Sequence, residues 1–444
     1  MSGSVAELDR RHLWHPFTQQ SEWCEQEPLV IERGEGTDLI DAEGRRYIDG
    51  VSSLWCNVHG HRHPLIDAAV RAQLDLVAHS TMLGLTHRGA AELAARLVEL
   101  APPGLSRVFF SDSGSTATEI ALKMAFQYWQ QRGGQHCRRT SFVCLRDAYH
   151  GDTIGAVSVG GIDLFHGAYG PLLFRSRQVT PGDVHELADV LDLHEEEIAA
   201  VIVEPLVQGA AGIRVHPPGY LRGARELTER HDTFLICDEV ATGFGRTGTM
   251  FACEQERVSP DFLCLGKGLT GGYMPLAATL ATERAYEGFL GTAAEARTFF
   301  HGHTFTGNPL GCAAALASLD AFAQEDTLVR LQPKIRLLGE LLGGVAELDE
   351  VAEVRGRGLM AGIDLGEHDP SLRLGHRVVL EARERGAIVR PLGDVIVLMP
   401  PLTISKADLA RLVAIVAESI RAAHRAVYGQ VGEPAPAAEL RAAA

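Results

Sequence analysis

Lys267 stands between two glycines in Leu265-Gly266-Lys267-Gly268-Leu269, at the end of an apolar run. A lysine held there is poorly placed for solvation. Desolvation and a nearby cation lower an ammonium's pKa and free the amine to form a Schiff base with a carbonyl compound. A snorkelling lysine, with its stem covered and its head in water, would read the same way. Asp238, in Cys237-Asp238-Glu239-Val240, ends another apolar run. Its carboxylate could pair with a protonated ring nitrogen, or act only as a helix cap or ion-pair partner. Ser111-Asp112-Ser113-Gly114-Ser115-Thr116 falls between a predicted strand and a long predicted helix. Small residues let a ligand approach the backbone, a helix start offers unpaired N–H groups, and the hydroxyls add donors, so this segment can cradle a phosphate. An ordinary capped helix has the same look. The segment is neither a Walker motif nor a G-x-G-x-x-G.

Further along, Tyr149 in Tyr149-His150-Gly151-Asp152 could stack on a planar ring. Gly243-Phe244-Gly245-Arg246-Thr247-Gly248 carries three glycines in six residues, which suggests unusual backbone angles or close packing. Arg390, before Pro391-Leu392-Gly393-Asp394, could hold a carboxylate bidentately. His301-Gly302-His303-Thr304 adds a polar run. Each has a plain structural alternative: a packed tyrosine, a structural loop, a surface ion pair, a polar loop. His59, His61 and His63 alternate, but Gly60 and Pro64 argue for a loop and no cysteine or carboxylate completes a ligand set, so no metal is expected. Order raises the set above its members. Cradle, aromatic, carboxylate and lysine all fall at strand ends, and the arginine follows in the last part of the chain. Together they could grip a phosphorylated, cationic, planar aldehyde.

The elements that position these residues are legible as periodicity. Residues 107–110, Ser141–Leu145, 200–204, 233–237 and Phe262–Leu265 are rich in Val, Ile, Leu and Phe with little polar alternation, which predicts strands buried on both faces. Helical spacing over 119–130 and 218–230 separates them. Alternating strands and helices imply βαβ units and a mainly parallel sheet, whose carboxyl edge is where such folds bind ligands. The chain ends differ. Up to about residue 58 the pattern predicts irregular structure with short hairpin strands at 29–32, Asp38–Asp41 and 45–49. Beyond about 325 it predicts a helix at 328–348, strands near 354–365 and 387–390, and a last helix at 406–427. The expected organisation is an α/β fold. It has a large domain at 59–325, a smaller α+β domain built from both termini (1–58 and 326–428), and a flexible tail at 429–444.

Composition bounds the possibilities. The 444 residues are 46% hydrophobic and 22% charged, as in a packed globular protein, and a core of this size needs no disulfide or metal staple. The net charge of −16 argues against nucleic acid or an anionic membrane as the main partner. No apolar run reaches a membrane-spanning length, and residues 1–11 lack the basic and apolar pattern of a signal peptide. The eight cysteines form no C-x-x-C pair and read as reduced thiols of a cytoplasmic protein.

Beyond these physical readings, several segments resemble one family. They are His12-Leu13-Trp14-His15-Pro16, the 111–115 cradle, Tyr149-His150-Gly151-Asp152-Thr153, the 238–248 stretch with Gly266-Lys267-Gly268, and Met399-Pro400-Pro401. All look like the class III pyridoxal-phosphate aminotransferases of fold type I, over roughly residues 11–425. Within the family, the likeness is to the enzymes of biotin biosynthesis that aminate 8-amino-7-oxononanoate to 7,8-diaminononanoate. The resemblance implies pyridoxal 5′-phosphate as cofactor and a homodimer with the active site at the subunit interface. It implies that Lys267 carries the cofactor and later shuttles a proton, and that Asp238 keeps the pyridine nitrogen protonated. Gly114 and Ser115 would bind the phosphate, with His303 and Thr304 completing that site from the partner subunit. Tyr149 would lie against the ring, Arg390 would hold the acceptor's carboxylate, Gly302 would line the substrate site, and Arg246 would help recognise the donor.

Three positions depart from the S-adenosylmethionine-using pattern: Phe17 replaces a tyrosine, Leu54-Trp55 replaces paired tryptophans, and His303 replaces a proline. Losing a phenol removes a hydrogen-bond donor, and losing an indole removes a stacking face for a large sulfonium donor. The donor is therefore expected to be S-adenosylmethionine or lysine. The rival readings are another class III ω-aminotransferase, of the ornithine, 4-aminobutyrate or β-alanine type, and a non-catalytic binding protein on the same fold.

Overall fold

Runs of Val, Ile, Leu and Phe without polar alternation are stable as strands only when both faces are covered. The computed structural model, which describes residues 4–429, gathers them into one seven-stranded sheet. Across the sheet the strands are Leu105–Ser111, Ala277–Thr282, Phe262–Leu265, Phe234–Asp238, Ile198–Val203, Ser141–Leu145 and Ser176–Val179. Six run in one direction. Ala277–Thr282 is antiparallel to both of its neighbours. Every residue of Ile198–Val203, Phe234–Asp238 and Phe262–Leu265 is buried. The helix Gly114–Arg132 lays Ala117, Ala121, Ala125 and Trp129 on one face, and Trp129 Nε1 donates to Ala199 O at 2.8 Å. Leu93 and Leu97 of Arg88–Leu100, with Leu319 of Pro309–Gln324, belong to the core cluster that contains Leu235, Leu263 and Leu280.

Two strands of this sheet escaped the sequence reading. Ala277–Thr282 is built from alanine and threonine and lacks a strong apolar signature. Ser176–Val179 is a short edge strand of mostly polar residues.

Both ends of the chain meet in a second sheet. Ile31–Glu35, Asp38–Asp41 and Arg46–Asp49 form a meander, and Ala387–Ile388 joins it in parallel beside Arg46–Asp49. A third sheet contains Glu353–Arg357, Met360–Asp364, Val395–Leu398 and the edge strand Arg390–Leu392, which places Arg390 opposite Val397. The helices Leu374–Glu384 and Lys406–Tyr428 pack on each other.

The N-terminal stretch expected to be irregular instead contains the helices Val5–His12 and Gln20–Glu25. The first is started by a capping box, in which Ser4 Oγ accepts from Glu7 N–H and Glu7 accepts from Ser4 N–H. Both helices are too short and polar to show an apolar stripe. No helix among the described residues is long and apolar enough to cross a membrane. The expected tail at 429–444 lies, beyond Gly429, outside the described residues.

Candidate active site

Parallel pairing aligns the carboxyl ends of neighbouring strands. Phe234–Asp238 therefore delivers Asp238 to the same edge at which Phe262–Leu265 runs into Gly266-Lys267 and Ile198–Val203 runs into Glu204. Asp238 is buried, with Oδ2 2.7 Å from His150 Nδ1 and Oδ1 accepting Val240 N–H at 3.0 Å. Glu204 is also buried and accepts the N–H groups of Gly209 at 2.9 Å and Tyr149 at 3.3 Å. Burial pushes its carboxyl up to about 7, with the nearby His150 and those N–H groups pulling the other way.

Lys267 is part-buried and lines the cleft at this edge. Its φ of +41° is left-handed and costly for a side-chain residue, which marks a backbone held by its surroundings. A Cβ on the following Gly268 would stand 2.9 Å from Phe244 Cβ, so the segment is packed too tightly for a larger residue there. Lys267 Nζ sits 4.7 Å from the centre of the Trp55 ring. Burial lowers the ammonium's pKa, and the carboxylates of Asp238 and Glu204 offset part of that.

The cradle forms where Leu105–Ser111 hands over to Gly114–Arg132. Ser113 caps the helix through Oγ, which accepts Thr116 N–H at 3.3 Å. The first N–H groups of a helix have no intrahelical partner. A Cβ on Gly114 would lie 2.4 Å from Val240 Cγ1, so only glycine fits beside the Asp238 loop. Ser115 Oγ donates to Thr153 Oγ1 and accepts Thr153 N–H, both at 3.0 Å, and Thr153 Oγ1 donates to Glu119 at 2.6 Å. These bonds tie the helix start to the 149–153 turn. Within that turn Tyr149 donates its O–H to Asp152 at 2.8 Å, and its ring stacks on His166 at 6.2 Å and 11°. Burial, then Asp152, raises the phenol's pKa.

These groups enclose a cavity of about 470 Å³ lined by Trp55, Gly114, Ser115, Tyr149, Asp238 and Lys267 among others. The cradle, aromatic, carboxylate and lysine singled out in the sequence therefore share one cleft with Trp55. His150, Glu204 and Thr153 also line it and were not assigned a role from sequence. Glu204 carried the same signal as Asp238, a carboxylate at the end of an apolar run.

The remaining residues lie elsewhere. Arg390 and Phe17 face each other across a neighbouring cleft, with the guanidinium 5.9 Å from the ring centre. Leu54 is half exposed. Gly302, His303 and Thr304 do not line the Lys267 cavity of their own chain. His303 Nδ1 lies 2.8 Å from Asp112 Oδ2, and His301 Nδ1 lies 2.8 Å from Lys123 Nζ. Arg246 lies apart from the lining of the Lys267 cavity. Its guanidinium is fully buried and donates to the carbonyls of Asn57 at 3.0 Å and Pro400 at 2.6 Å, so it braces three segments rather than facing the cavity. His59, His61 and His63 point to separate partners, Ser318, Asp49 and Glu325.

The cavity fits a phosphorylated pyridine aldehyde. It offers helix N–H groups and hydroxyls for a phosphate, a carboxylate for a ring nitrogen and an amine for the aldehyde, and His150 Nε2 is buried beside it with no hydrogen-bond partner among the described residues. Comparison with known proteins agrees. The family model for class-III aminotransferases matches residues 20–420. An adenosylmethionine-8-amino-7-oxononanoate aminotransferase of Nitratidesulfovibrio vulgaris is 56% identical, with 91% of this chain and 79% of that protein aligned. The crystal structure of the enzyme so named from Methanocaldococcus jannaschii superposes with a TM-score of 0.92 at 44% identity, covering 94% of this chain and 98% of that one. A PLP-bound amine transaminase from an uncultivated Pseudomonas species gives 0.87 at 37% identity, covering 93% and 99%. With the lysine, the carboxylate and the cradle gathered in one cleft, these matches show that the chain belongs to the class-III aminotransferases.

Proposed function

We propose that this aminotransferase moves an amino group onto 8-amino-7-oxononanoate, giving 7,8-diaminononanoate for biotin biosynthesis. The single observation carrying the reading is an amine, Lys267 Nζ, in a cavity edged by Asp238 and Glu204, with a guanidinium, Arg390, that has no ion-pair partner among the described residues in the adjoining cleft. The extended similarity to enzymes named for that acceptor supports it.

Pyridoxal 5′-phosphate is the cofactor, and when bound it supplies an electron sink for the carbon that loses or gains the amino group. The cradle at Gly114 and Ser115 would hold its phosphate, and Asp238, steadied by His150, would hold a proton at the ring nitrogen. Tyr149 would lie against the ring, its orientation fixed by Asp152. Lys267 Nζ, its pKa lowered by burial, takes a proton from the donor's carbon and returns one in the second half-reaction. Arg390 binds the acceptor's carboxylate, while Phe17, Leu54 and Trp55 shape the substrate side. Donor and acceptor use one site in turn, so ping-pong kinetics are expected.

Thr304, with Gly302 and His303, would reach the phosphate and substrate sites of a second copy. The segment lies off its own Lys267 cavity, and Phe300 and Phe305 beside it are 82% and 54% exposed, which suits a homodimer contact. The free thiols of the described cysteines suit a reducing cytoplasm. For the donor, S-adenosylmethionine follows the relatives' names, and lysine follows from Phe17 and Leu54.

The test is turnover by purified holoenzyme of 8-amino-7-oxononanoate with each donor, read by formation of the diamine. Formation of the diamine with either donor supports the reading. No diamine with either donor, alongside transfer of the ω-amino group of ornithine, 4-aminobutyrate or β-alanine to a keto acid, would replace it with the ω-aminotransferase reading.

A further inference from the structure

We infer that a second cleft reaching Arg390 is an anion site for an aliphatic carboxylate, whose ligand competes with the acceptor for that arginine. The inference rests on the reading of Arg390 as the acceptor's carboxylate anchor. The cleft holds about 610 Å³ between the 16–26 segment and the helix Leu374–Glu384. Four basic side chains line it, Arg373, His376, Arg383 and Arg390, against two acids. Both acids are engaged. Glu22 is ion-paired with Arg373, and Asp394 accepts Gly375 N–H at 2.9 Å.

Arg383 and Arg390 are different. Among the described residues no hydrogen bond or ion pair reaches either guanidinium, and Arg383 Nε is buried without a partner. Burial lowers the pKa of both. A desolvated guanidinium without an anion is unfavourable, and natural structures rarely leave one so unless a ligand completes it. Helical spacing puts His376, Val379 and Arg383 on one face, so an imidazole, whose pKa burial and the nearby arginines lower, and a guanidinium flank an apolar stretch. Trp23 and Val389 continue that apolar wall. A planar carboxylate matches the guanidinium fork, and an alkyl chain matches the wall. A bare phosphate would leave the wall unused. A ligand spanning this cleft meets Arg390 and takes it from the acceptor, while the donor half-reaction proceeds.

Octanoate is the probe, titrated calorimetrically into the holoenzyme and added to steady-state assays. Octanoate should raise the acceptor's KM and leave the donor half-reaction rate unchanged. Arg383→Gln should weaken octanoate binding by roughly tenfold or more, the scale of a lost charge-assisted pair, with the acceptor's KM unchanged in its absence. Arg383→Lys, which keeps the charge but not the fork, should fall between and guards against a folding defect. Unchanged octanoate affinity in both variants would overturn the site, since octanoate would then sit only in the acceptor's place. Inorganic phosphate binding as tightly as octanoate would overturn the aliphatic assignment. Calorimetry reads the site whether or not 8-amino-7-oxononanoate is turned over, so the two readings fail separately.

Discussion

The carboxyl edge of the central sheet and the cleft beside Arg390 are both rich in ionisable groups, yet they treat charge in opposite ways. At the sheet edge the carboxylate, the cradle and the aromatic are already committed. Asp238 meets His150 at 2.7 Å, Ser115 meets Thr153 at 3.0 Å, and Tyr149 meets Asp152 at 2.8 Å. In the cleft, Arg383 and Arg390 carry no such bond among the described residues. Groups that must hold one geometry through every turnover are fixed by their neighbours, which removes reorganisation at the moment of reaction. In the proposed function, groups that select a passing carboxylate are left for the ligand to complete, so that fixed chemistry sits at the ends of buried strands and selectivity on segments from the chain ends.

That contrast predicts a graded series of losses. Lys267→Ala should reduce turnover by roughly ten-thousandfold or more, since proton transfer and cofactor attachment go together. Full turnover in that variant would break the assignment of chemistry to the sheet edge. Asp238→Ala should cost roughly a hundred- to thousandfold in kcat, the scale of losing an aimed electrostatic group, and should shift the absorbance of the bound cofactor. Arg390→Ala should raise the acceptor's KM by about ten- to a hundredfold and spare the donor half-reaction, measured by single turnover. Equal losses in both halves would move Arg390 from selectivity to chemistry.

A pH effect separates the regions without any substrate. Glu204 has its carboxyl raised to about 7 by burial, above the ordinary value of 4.5, so the folded chain holds a proton that the unfolded chain releases. Its contribution is present below about pH 4.5 and is lost as pH rises through 7. Glu204→Gln should flatten that part of the cofactor-free melting profile, by on the order of a few degrees. The smallest expected effect is at Phe17. Phe17→Tyr should shift the ratio of S-adenosylmethionine to lysine use by about two- to tenfold, the worth of one hydrogen bond. An unchanged ratio would remove Phe17 from donor choice.

The sheet edge was the more legible region. Lys267 and Asp238 each follow an apolar run, and that local signal points to a strand end. Glu204 carries the same signal but reads as the last residue of its own strand. His150 pairs with Asp238 across 88 residues of sequence, and no spacing reveals such a contact. Arg246 makes the same point: a basic residue in a glycine-rich loop looks available, and only the folded chain shows its guanidinium on the carbonyls of Asn57 and Pro400. In the cleft, Arg383 lies in the last turn of a helix, where a cation is ordinary. Its lack of a partner is a property of the assembled walls alone.

The reversed strand Ala277–Thr282 has a mechanical consequence for the lysine. A chain leaving a parallel strand must cross a whole face of the sheet before it returns. The segment after Leu265 instead turns back at once, because the next strand runs the opposite way beside it, with Leu265 opposite Ala278. Residues 266–276 are thus clamped at both ends on one rim, with the reactive amine near the first clamp. Such a mount fixes where the four-carbon arm of Lys267 is rooted, and leaves reach to the arm alone.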